Sequence, residues 1–427
     1  MRFIPHYTPE QIADIQLKGL QSTVSHVYAH SPYYRQRLDE KGITPDDIRS
    51  LDDLCHLPFL DKDDLAAQYP FPLLSVPQKD VVRIHASSGT TGKRKVLTYT
   101  QNDVVTWATM FARCFELSGM TVEDRLQVAV GYGLWTAGAG FQRGCERFGA
   151  MCVPLGPANA DMHCEMIVDL QTTVLGATAS MALLLAEELH HRNLTDQCRI
   201  QKIIMGAERH SEAMNQQIKT LMGVDDIFDI YGLTEAYGPG TSLDCAYHTG
   251  LHYWADLFIF EIIDPVTLKP VAPGKTGEIV ITTLTKEASP LIRYRTHDIS
   301  CILPGDCPCG VSFPRHDRIT GRTDDMFTYR AVNIYPSQID EVFHHIEGVS
   351  CEYQIHLTHI EGRDHMKIFV EQSGQFDIPA SLLQKVSDEI RRKLLVRADV
   401  EIVPYQSLPR TERKAKRVFD DRENQSL

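Results

Sequence analysis

No apolar run in this 427-residue chain approaches the roughly 20 residues needed to span a bilayer, which argues against a membrane protein. Positive charge is in deficit: 43 lysines and arginines face 56 aspartates and glutamates, for a net charge of −13. That balance disfavours the nonspecific grip on nucleic acid that a basic surface provides, and it leaves an anionic ligand to be held by local donors. Internal repeats and low-complexity tracts are missing. The first residues, Met1 to His6, lack the apolar core of a secretory signal, so the expected compartment is the cytoplasm. The 11 cysteines are scattered and odd in number, which fits free thiols or a metal site better than a disulfide framework.

What is present is an ordinary globular composition, 43% hydrophobic and 23% charged. The length exceeds what one hydrophobic core usually organises and predicts two domains of unequal size. Residues 8–40 read as amphipathic helix, with Ile12, Ile15, Leu20, Val24 and Tyr28 near helical spacing. Residues 81–84 and 96–99 read as strands, and Thr100 with Asp103 signals the capped start of a helix carrying Val104, Ala108, Phe111 and Phe115 on one face. Short apolar strands at 126–130, 151–154 and 202–205 then alternate with helical stretches, the pattern of an α/β core with largely parallel sheets. Towards the C-terminus the pattern changes. Met366, Ile368 and Val370 alternate as a strand, Leu383, Val386, Ile390 and Leu394 lie at helical spacing, and Val400 and Ile402 begin another strand. This predicts a small α+β unit, joined to the larger part by a hinge at 321–325.

After the first of these strands stands Ser87-Ser88-Gly89-Thr90-Thr91-Gly92-Lys93. Its glycines let a backbone approach a ligand, its N–H groups can converge on phosphate oxygens, and its hydroxyls and lysine add donors. It is not a Walker A loop, because only Thr90 and Thr91 separate Gly89 from Gly92 and Arg94 follows the lysine. Taken alone it fits a phosphate cradle or a polar turn between strands. Tyr231-Gly232-Leu233-Thr234-Glu235 follows an apolar strand end; its ring suits a nucleobase, and its hydroxyl and carboxylate suit a phosphate and the attendant Mg²⁺. A strand-to-turn segment with an exposed glutamate is the plainer alternative. Asp298, in Tyr294-Arg295-Thr296-His297-Asp298, can accept both hydroxyls of a ribose or pair with Arg293 or Arg295. Gly321-Arg322-Thr323-Asp324-Asp325 and the basic run Pro409-Arg410-Thr411-Glu412-Arg413-Lys414-Ala415-Lys416-Arg417 complete the set. Their order and separations carry more information than any one of them.

As an ordered set these motifs resemble the adenylate-forming superfamily of acyl-CoA synthetases, luciferases and peptide-synthetase adenylation domains. Gly131-Tyr132-Gly133-Leu134, Leu291-Ile292-Arg293-Tyr294-Arg295, Asn333-Ile334-Tyr335-Pro336-Ser337-Gln338-Ile339 and Leu408-Pro409-Arg410-Thr411 bring the chain nearest to phenylacetate–CoA ligases, over essentially its whole length. The resemblance implies a large N-terminal adenylation domain, residues 1–323, and a mobile α+β domain, residues 324–427, turning about Asp324. It implies attack of a carboxylate on the α-phosphate of ATP, giving acyl-AMP and pyrophosphate, followed by displacement of AMP by coenzyme A. The loop from Ser87 to Lys93 would hold the outer phosphates, Thr234 the α-phosphate and Glu235 Mg²⁺. Gly206, Ala207 and Glu208, with Asp229, Tyr231 and Gly232, would frame the adenine; Asp298 and Arg322 would bind the ribose. Lys414 would bridge carboxylate and α-phosphate, a fixed cation where two anions must meet; Lys416 is its rival. Arg330 and Ala331 would line the coenzyme A tunnel, although Ala331 stands where relatives usually carry glycine and Arg413 replaces the usual glycine before the lysine.

Cys307-Pro308-Cys309-Gly310 is a close pair in a turn, and Cys245 with His248 and His252 precedes expected strands at 258–263 and 278–282 that can bring the segments together. Three thiolates and one imidazole would make a closed, structural zinc site, with free thiols as the alternative. The resemblance favours zinc and, through Gly250-Leu251-His252, His252 over His248. The remaining cysteines, Cys55, Cys114, Cys145, Cys152, Cys164, Cys198, Cys301 and Cys351, read as buried small residues. Family likeness places the acid pocket at Tyr132, Gly133, Trp135, Ala137, Gly138 and Phe141, where a tryptophan beside small residues suits a flat aromatic acid. Trp135 as plain core is the alternative. The implied reading is an aryl-acid–CoA ligase; its rivals are an enzyme stopping at acyl-AMP or using another acceptor, and a nucleotide-binding protein without turnover. A homodimer is common among similar enzymes.

Overall fold

The computed structural model describes residues 2–67, 69–87, 94–208, 210, 212–325, 327–330, 332–360, 363–374, 379–409 and 417–422. Of the candidate residues, Ser88, Gly89, Thr90, Thr91, Gly92, Lys93, Ala331 and Lys414 lie outside the described residues.

The alternation of short apolar strands and helices builds the parallel half of a nine-stranded sheet. Met151–Val153, Arg125–Ala129, Val174–Thr178, Lys202–Gly206 and Asp226–Leu233 lie side by side in that order, all parallel. They are mostly apolar because helices cover both faces. Side chains alternate between the faces: Leu126, Val128 and Ile204 join a core with Phe111, Phe115 and Phe141, while Ala129, Leu175, Ile203 and Met205 join another with Leu185 and Ile218. Beyond Asp226–Leu233 the sheet turns antiparallel through Gly238–Asp244, Leu251–Tyr253, Arg315–His316 and Ile302–Leu303. A second, wholly antiparallel sheet runs Phe258–Ile263, Gly277–Thr283, Tyr294–Ser300 and Gly321–Arg322, and a hairpin pairs Arg83–Ser87 with Lys95–Tyr99.

The expected helix over 8–40 is two helices, Pro9–His30 and Pro32–Asp39. Pro32 lacks an N–H and pushes Ser31 out of the helical region, to φ −107° and ψ 110°. The Thr100 cap is present as read: its hydroxyl accepts from the Asp103 amide while the Asp103 carboxylate accepts from the Thr100 amide, opening the helix Gln101–Leu117.

From Phe327 onward a separate hydrophobic cluster forms, with Tyr353, Ile368, Val386 and Ile390 at its centre. Its sheet orders Asp399–Val403, Arg363–Gln372, Val349–Ile360 and Val418–Asp420, with helices Pro336–His344 and Ala380–Leu394 packed against it. Among the described residues no helix is long and apolar enough to cross a membrane.

Candidate active site

The candidate residues gather at the carboxyl ends of the parallel strands, beside the point where the sheet changes direction, the usual ligand crevice of such sheets. The short turn Thr234–Ala236 sits in that bend. A Cβ on Gly232 would lie 1.9 Å from the Gly238 carbonyl oxygen, so the two strands approach more closely than any side chain permits. Thr234 and Glu235 are buried, which removes the reading of Glu235 as an exposed turn residue. Tyr99 donates its hydroxyl to the Thr234 carbonyl at 3.2 Å, and Lys95 Nζ stands 4.0 Å from Glu235 Oε1.

Asp298 and Arg322 face each other in register on neighbouring strands. Arg322 Nη1 donates to Asp298 Oδ1 at 2.5 Å and Tyr231 Oη to Oδ2 at 2.8 Å. Arg293 is bound instead to Glu261 and Arg295 to Glu278, so neither is the ion-pair partner of Asp298. Arg322 also reaches Asp324 at 2.9 Å, and Lys62 meets the same carboxylate at 3.0 Å. Those two cations hold the Asp324 carboxyl well below the usual range, against its burial.

Gly206 ends its strand where a Cβ would strike the Ile230 carbonyl oxygen at 2.1 Å, and Ala207 follows with φ +66°. Glu208 accepts from the Ser180 amide at 3.0 Å; burial raises its carboxyl above the usual range. Asp229 lies between His210 at 3.6 Å and Arg318 at 3.8 Å. Burial opposes its charge, but His210 and Arg318 keep it depressed.

On the other side, Tyr132 packs its ring where side chains on Gly138 and Gly156 would stand, and Trp135 covers Gly131. Gly133 has φ +76°. Ala137 and Phe141 are enclosed in the core, Phe141 against Phe111 at 5.1 Å between ring centres. The Ala86 amide donates to the Leu134 carbonyl at 2.8 Å, fastening this segment to the strand that enters the Ser/Gly/Thr loop. Among the described residues, the buried polar atoms Ser87 Oγ, His85 Nε2, Tyr132 Oη and Thr136 Oγ1 have no partner. Arg330 adopts φ +50° with its guanidinium 5.2 Å from the Tyr329 ring centre.

The sulfurs of Cys245, Cys307 and Cys309 and a ring nitrogen of His252 all lie within 4.8 Å of one another. Cys245 and Cys307 are 3.5 Å apart, Cys309 and His252 Nε2 3.3 Å. They meet at the antiparallel edge of the nine-stranded sheet, where Leu251–Tyr253 pairs with Arg315–His316; the expected 258–263 and 278–282 strands pair, but in the other sheet. His252 Nδ1 is bound to the Phe313 carbonyl at 2.8 Å, which leaves Nε2 free of a proton towards the thiols. Arg315 clamps both loops through Thr249, Gly305 and Asp306. His248 is committed elsewhere, to Asp244 at 2.8 Å and Asp226 at 2.7 Å. Of the other cysteines Cys114, Cys145 and Cys164 are buried; Cys152, Cys198 and Cys301 are half-buried. Cys55 is a correction: it is exposed, because the short surface turn Leu51–His56 directs Leu54 inward instead. The surroundings of the Cys351 side chain lie outside what is described.

Residues 6–285 match the family model "AMP-binding enzyme" and residues 331–422 the model "AMP-binding enzyme C-terminal domain". The chain belongs to the AMP-binding enzyme family. It is 39% identical to phenylacetate-coenzyme A ligase of Escherichia coli K12 over 96% of this chain and 95% of that protein. The ligase superposes on 2-hydroxyisobutyryl-CoA ligase in the postadenylation state, bound to 2-HIB-AMP, with a TM-score of 0.88 at 26% identity, covering 99% and 92% of the two chains. Against the same enzyme in the thioesterification state the TM-score is 0.72 at 27% identity, again covering 99% and 92%. The large N-terminal domain with a small C-terminal one, the use of ATP and coenzyme A, and AMP-forming acid–thiol ligation follow from this membership.

Two side chains beside these candidate residues were not singled out from sequence. His85 sits two residues before Ser87, and a strand's period of two places both on one face, a signal that was available. Burial pushes its pKa down to about 4, so the ring is neutral. Lys286 gave no signal among 43 basic residues. It is 2% exposed, donates to the Glu235 carbonyl at 3.4 Å, and lies 4.1 Å and 4.7 Å from the ring centres of Tyr99 and Tyr237. Burial lowers its pKa to about 8, while Asp103 and Glu235 pull it back up. The ammonium is the buried cation that offsets these two carboxylates. Lys286→Met removes that cation and leaves Lys95 Nζ, 4.0 Å from Glu235 Oε1, as the cation at the site among the described residues. It is expected to lower the unfolding temperature by several degrees and acid-dependent pyrophosphate release at least about tenfold. Calorimetry and a pyrophosphate assay at varied Mg²⁺ check this, and unchanged turnover at wild-type Mg²⁺ demand would refute it.

Proposed function

We propose that this ligase activates a flat aromatic carboxylic acid, phenylacetate or a related aryl acid, as its adenylate and passes the acyl group to coenzyme A. One observation carries the reading. The Tyr132–Trp135 segment is fastened to the base of the Ser/Gly/Thr loop through Ala86 and Leu134, while Gly238, just past Glu235, packs on Thr136. An aromatic wall, the strand Arg83–Ser87 that leads into the Ser/Gly/Thr loop and the Thr234–Glu235 turn thus adjoin, in a chain 39% identical to a phenylacetate-coenzyme A ligase.

In this reading Tyr132, Gly133 and Trp135 line the acid pocket, with Ala137, Gly138 and Phe141 supporting it from behind. His85 and the unpartnered hydroxyls supply the few polar contacts that such a pocket needs. Asp298, oriented by Tyr231 and Arg322, takes the ribose hydroxyls; residues 206–208 and Asp229 border the adenine. Thr234 would meet the α-phosphate and Glu235 would hold Mg²⁺, which would supply positive charge that, with that of Lys414, offsets the repulsion between carboxylate and phosphate oxygens. A carboxylate oxygen bonds to the α-phosphorus as the bond to the pyrophosphate oxygen breaks. In the second step the coenzyme A sulfur bonds to the acyl carbon, its proton leaves, and AMP departs. Arg330 and Ala331 border the coenzyme A path. The two domains are assigned to residues 1–323 and 324–427 with Asp324 as pivot, in keeping with a hydrophobic cluster that begins at Phe327.

The thiol cluster is assigned to zinc. Three sulfurs and a lone-pair nitrogen within 4.8 Å fit a tetrahedron of ~2.3 Å arms, and four protein ligands leave no place for water. The metal would brace the sheet edge and take no part in the reaction. The cytoplasm suits these thiols, since every cysteine among those described is free.

A panel of aromatic acids, assayed for pyrophosphate with and without coenzyme A, tests the reading. Pyrophosphate and thioester from an aryl acid are expected. Pyrophosphate without thioester would establish instead an enzyme that stops at the adenylate, and silence across the panel would leave only nucleotide binding.

A further inference from the structure

Glu187 lies on the helix Ala179–His191, on the outer face of the parallel sheet, among leucines and alanines. It is 4% exposed, a depth at which glutamate is seldom found unless paired. Both of its oxygens are taken by the far end of the chain. Tyr405 donates its hydroxyl to Oε1, and Gln406 Nε2 donates to Oε2 at 2.9 Å, across 219 positions of sequence.

The donors sit on a turn that its own sheet holds firmly. Glu371, fully buried, accepts from the Gln406 amide at 3.2 Å and the Leu408 amide at 2.6 Å. Gln406 itself has φ +60°, a conformation that a non-glycine residue keeps only when its surroundings impose it. The turn is therefore a preformed plug, and Glu187 is its socket on the other hydrophobic body. Along the chain the plug lies eight residues before Lys414.

The arrangement in which plug meets socket is the one that superposes at 0.88 on a relative after adenylation and at 0.72 on the same relative during thioesterification. Two side-chain hydrogen bonds to a buried carboxylate require near-contact geometry, so a reoriented C-terminal domain cannot keep them.

We infer that Glu187 is a positioning residue for the adenylating half-reaction: it docks the Tyr405–Gln406 turn and so fixes the C-terminal domain in the arrangement that forms acyl-AMP. This rests on the ligase reading above. The contact serves the first half-reaction only.

The test separates the halves. Glu187→Gln keeps the volume of the side chain and removes its charge. Tyr405→Phe with Gln406→Gly removes both donors from an exposed turn and suits its positive φ. Each is assayed for acid-dependent ATP–pyrophosphate exchange, using an acid turned over by the wild type, and for coenzyme A-dependent consumption of synthetic acyl-AMP. Exchange is expected to fall between about 5-fold and 150-fold, the range for losing partners of a buried carboxylate, with acyl-AMP consumption unchanged or faster. A parallel loss of both activities would mark Glu187 as merely structural, and unchanged exchange would also overturn the inference. The wild type run alongside distinguishes the two readings: exchange absent from the wild type defeats the ligase assignment itself, and with it what rests on it.

Discussion

Lys414→Ala is expected to lower acid-dependent pyrophosphate release by roughly 10²–10³-fold, the loss seen when one preorganised stabilising group is removed. The effect should fall on kcat more than on KM. The lysine's charge matters most as the attacking carboxylate and the pentavalent phosphate share charge, and least while ATP and acid are merely bound. Coenzyme A-dependent consumption of synthetic acyl-AMP should remain near that of the wild type, because the phosphoryl step is already complete. Lys416→Ala is the control that decides between the two lysines. It should cost little, since the resemblance puts the catalytic lysine at position 414 and an exposed ion pair is worth at most about 1 kcal/mol. The framework that presents this run is well tied down on both sides. Leu408 is bound to Glu371, while Arg417 pairs with Glu352 at 2.7 Å and its carbonyl accepts from the Ile355 amide at 2.8 Å. Equal losses from both substitutions, or loss of both half-reactions in Lys414→Ala, would reject the assignment.

Purified protein is expected to contain about one equivalent of zinc, and Cys307→Ser to remove it at a cost of at least about 4 kcal/mol in stability, the class of effect that follows loss of a bound metal. The physical reason lies at the sheet edge. Cys245 and His252 come from one end of the antiparallel strands and Cys307 and Cys309 from the turn between Ile302–Leu303 and Arg315–His316, so a bound metal would join two loops that Arg315 also clamps. Chelation should lower the unfolding temperature of the wild type and leave Cys307→Ser unmoved. Turnover of folded protein should be insensitive, since a closed four-ligand site offers no Lewis acidity to the reaction. Metal analysis giving less than about a tenth of an equivalent would dispose of the zinc assignment.

The candidate site was legible as motifs because its parts are contiguous in the chain. A glycine pair around hydroxyls, a Tyr-Gly-x-Thr-Glu turn and a Tyr-Arg-x-x-Asp strand each offer a candidate chemistry within five to seven residues, and their shared order carries the resemblance. The strand-helix alternation was readable for the same reason, since periodicity is a property of short windows. The places where reading failed have both local and distant causes. The 8–40 helix is interrupted by one proline, a local signal that periodicity overrode. Cys55 is exposed because Leu54 takes the inward position on a surface turn. The two expected strands do not assemble the thiols; a different sheet edge does.

The sequence by itself determined which chemistry-bearing residues exist and in what order, and through that order the resemblance that implies ATP, a carboxylate and coenzyme A. Motif order suffices for that, because it depends only on which residues exist and in what succession. Only the tertiary structure decided how those residues are committed. It bound Arg293 and Arg295 to Glu261 and Glu278 rather than to Asp298, and it put His252 beside the thiols while giving His248 to Asp244 and Asp226. It also placed Lys286 beneath Glu235 and Tyr405 against Glu187. Each of those choices is a competition between charged or polar groups for a buried partner, and burial exists only once the chain has closed on itself.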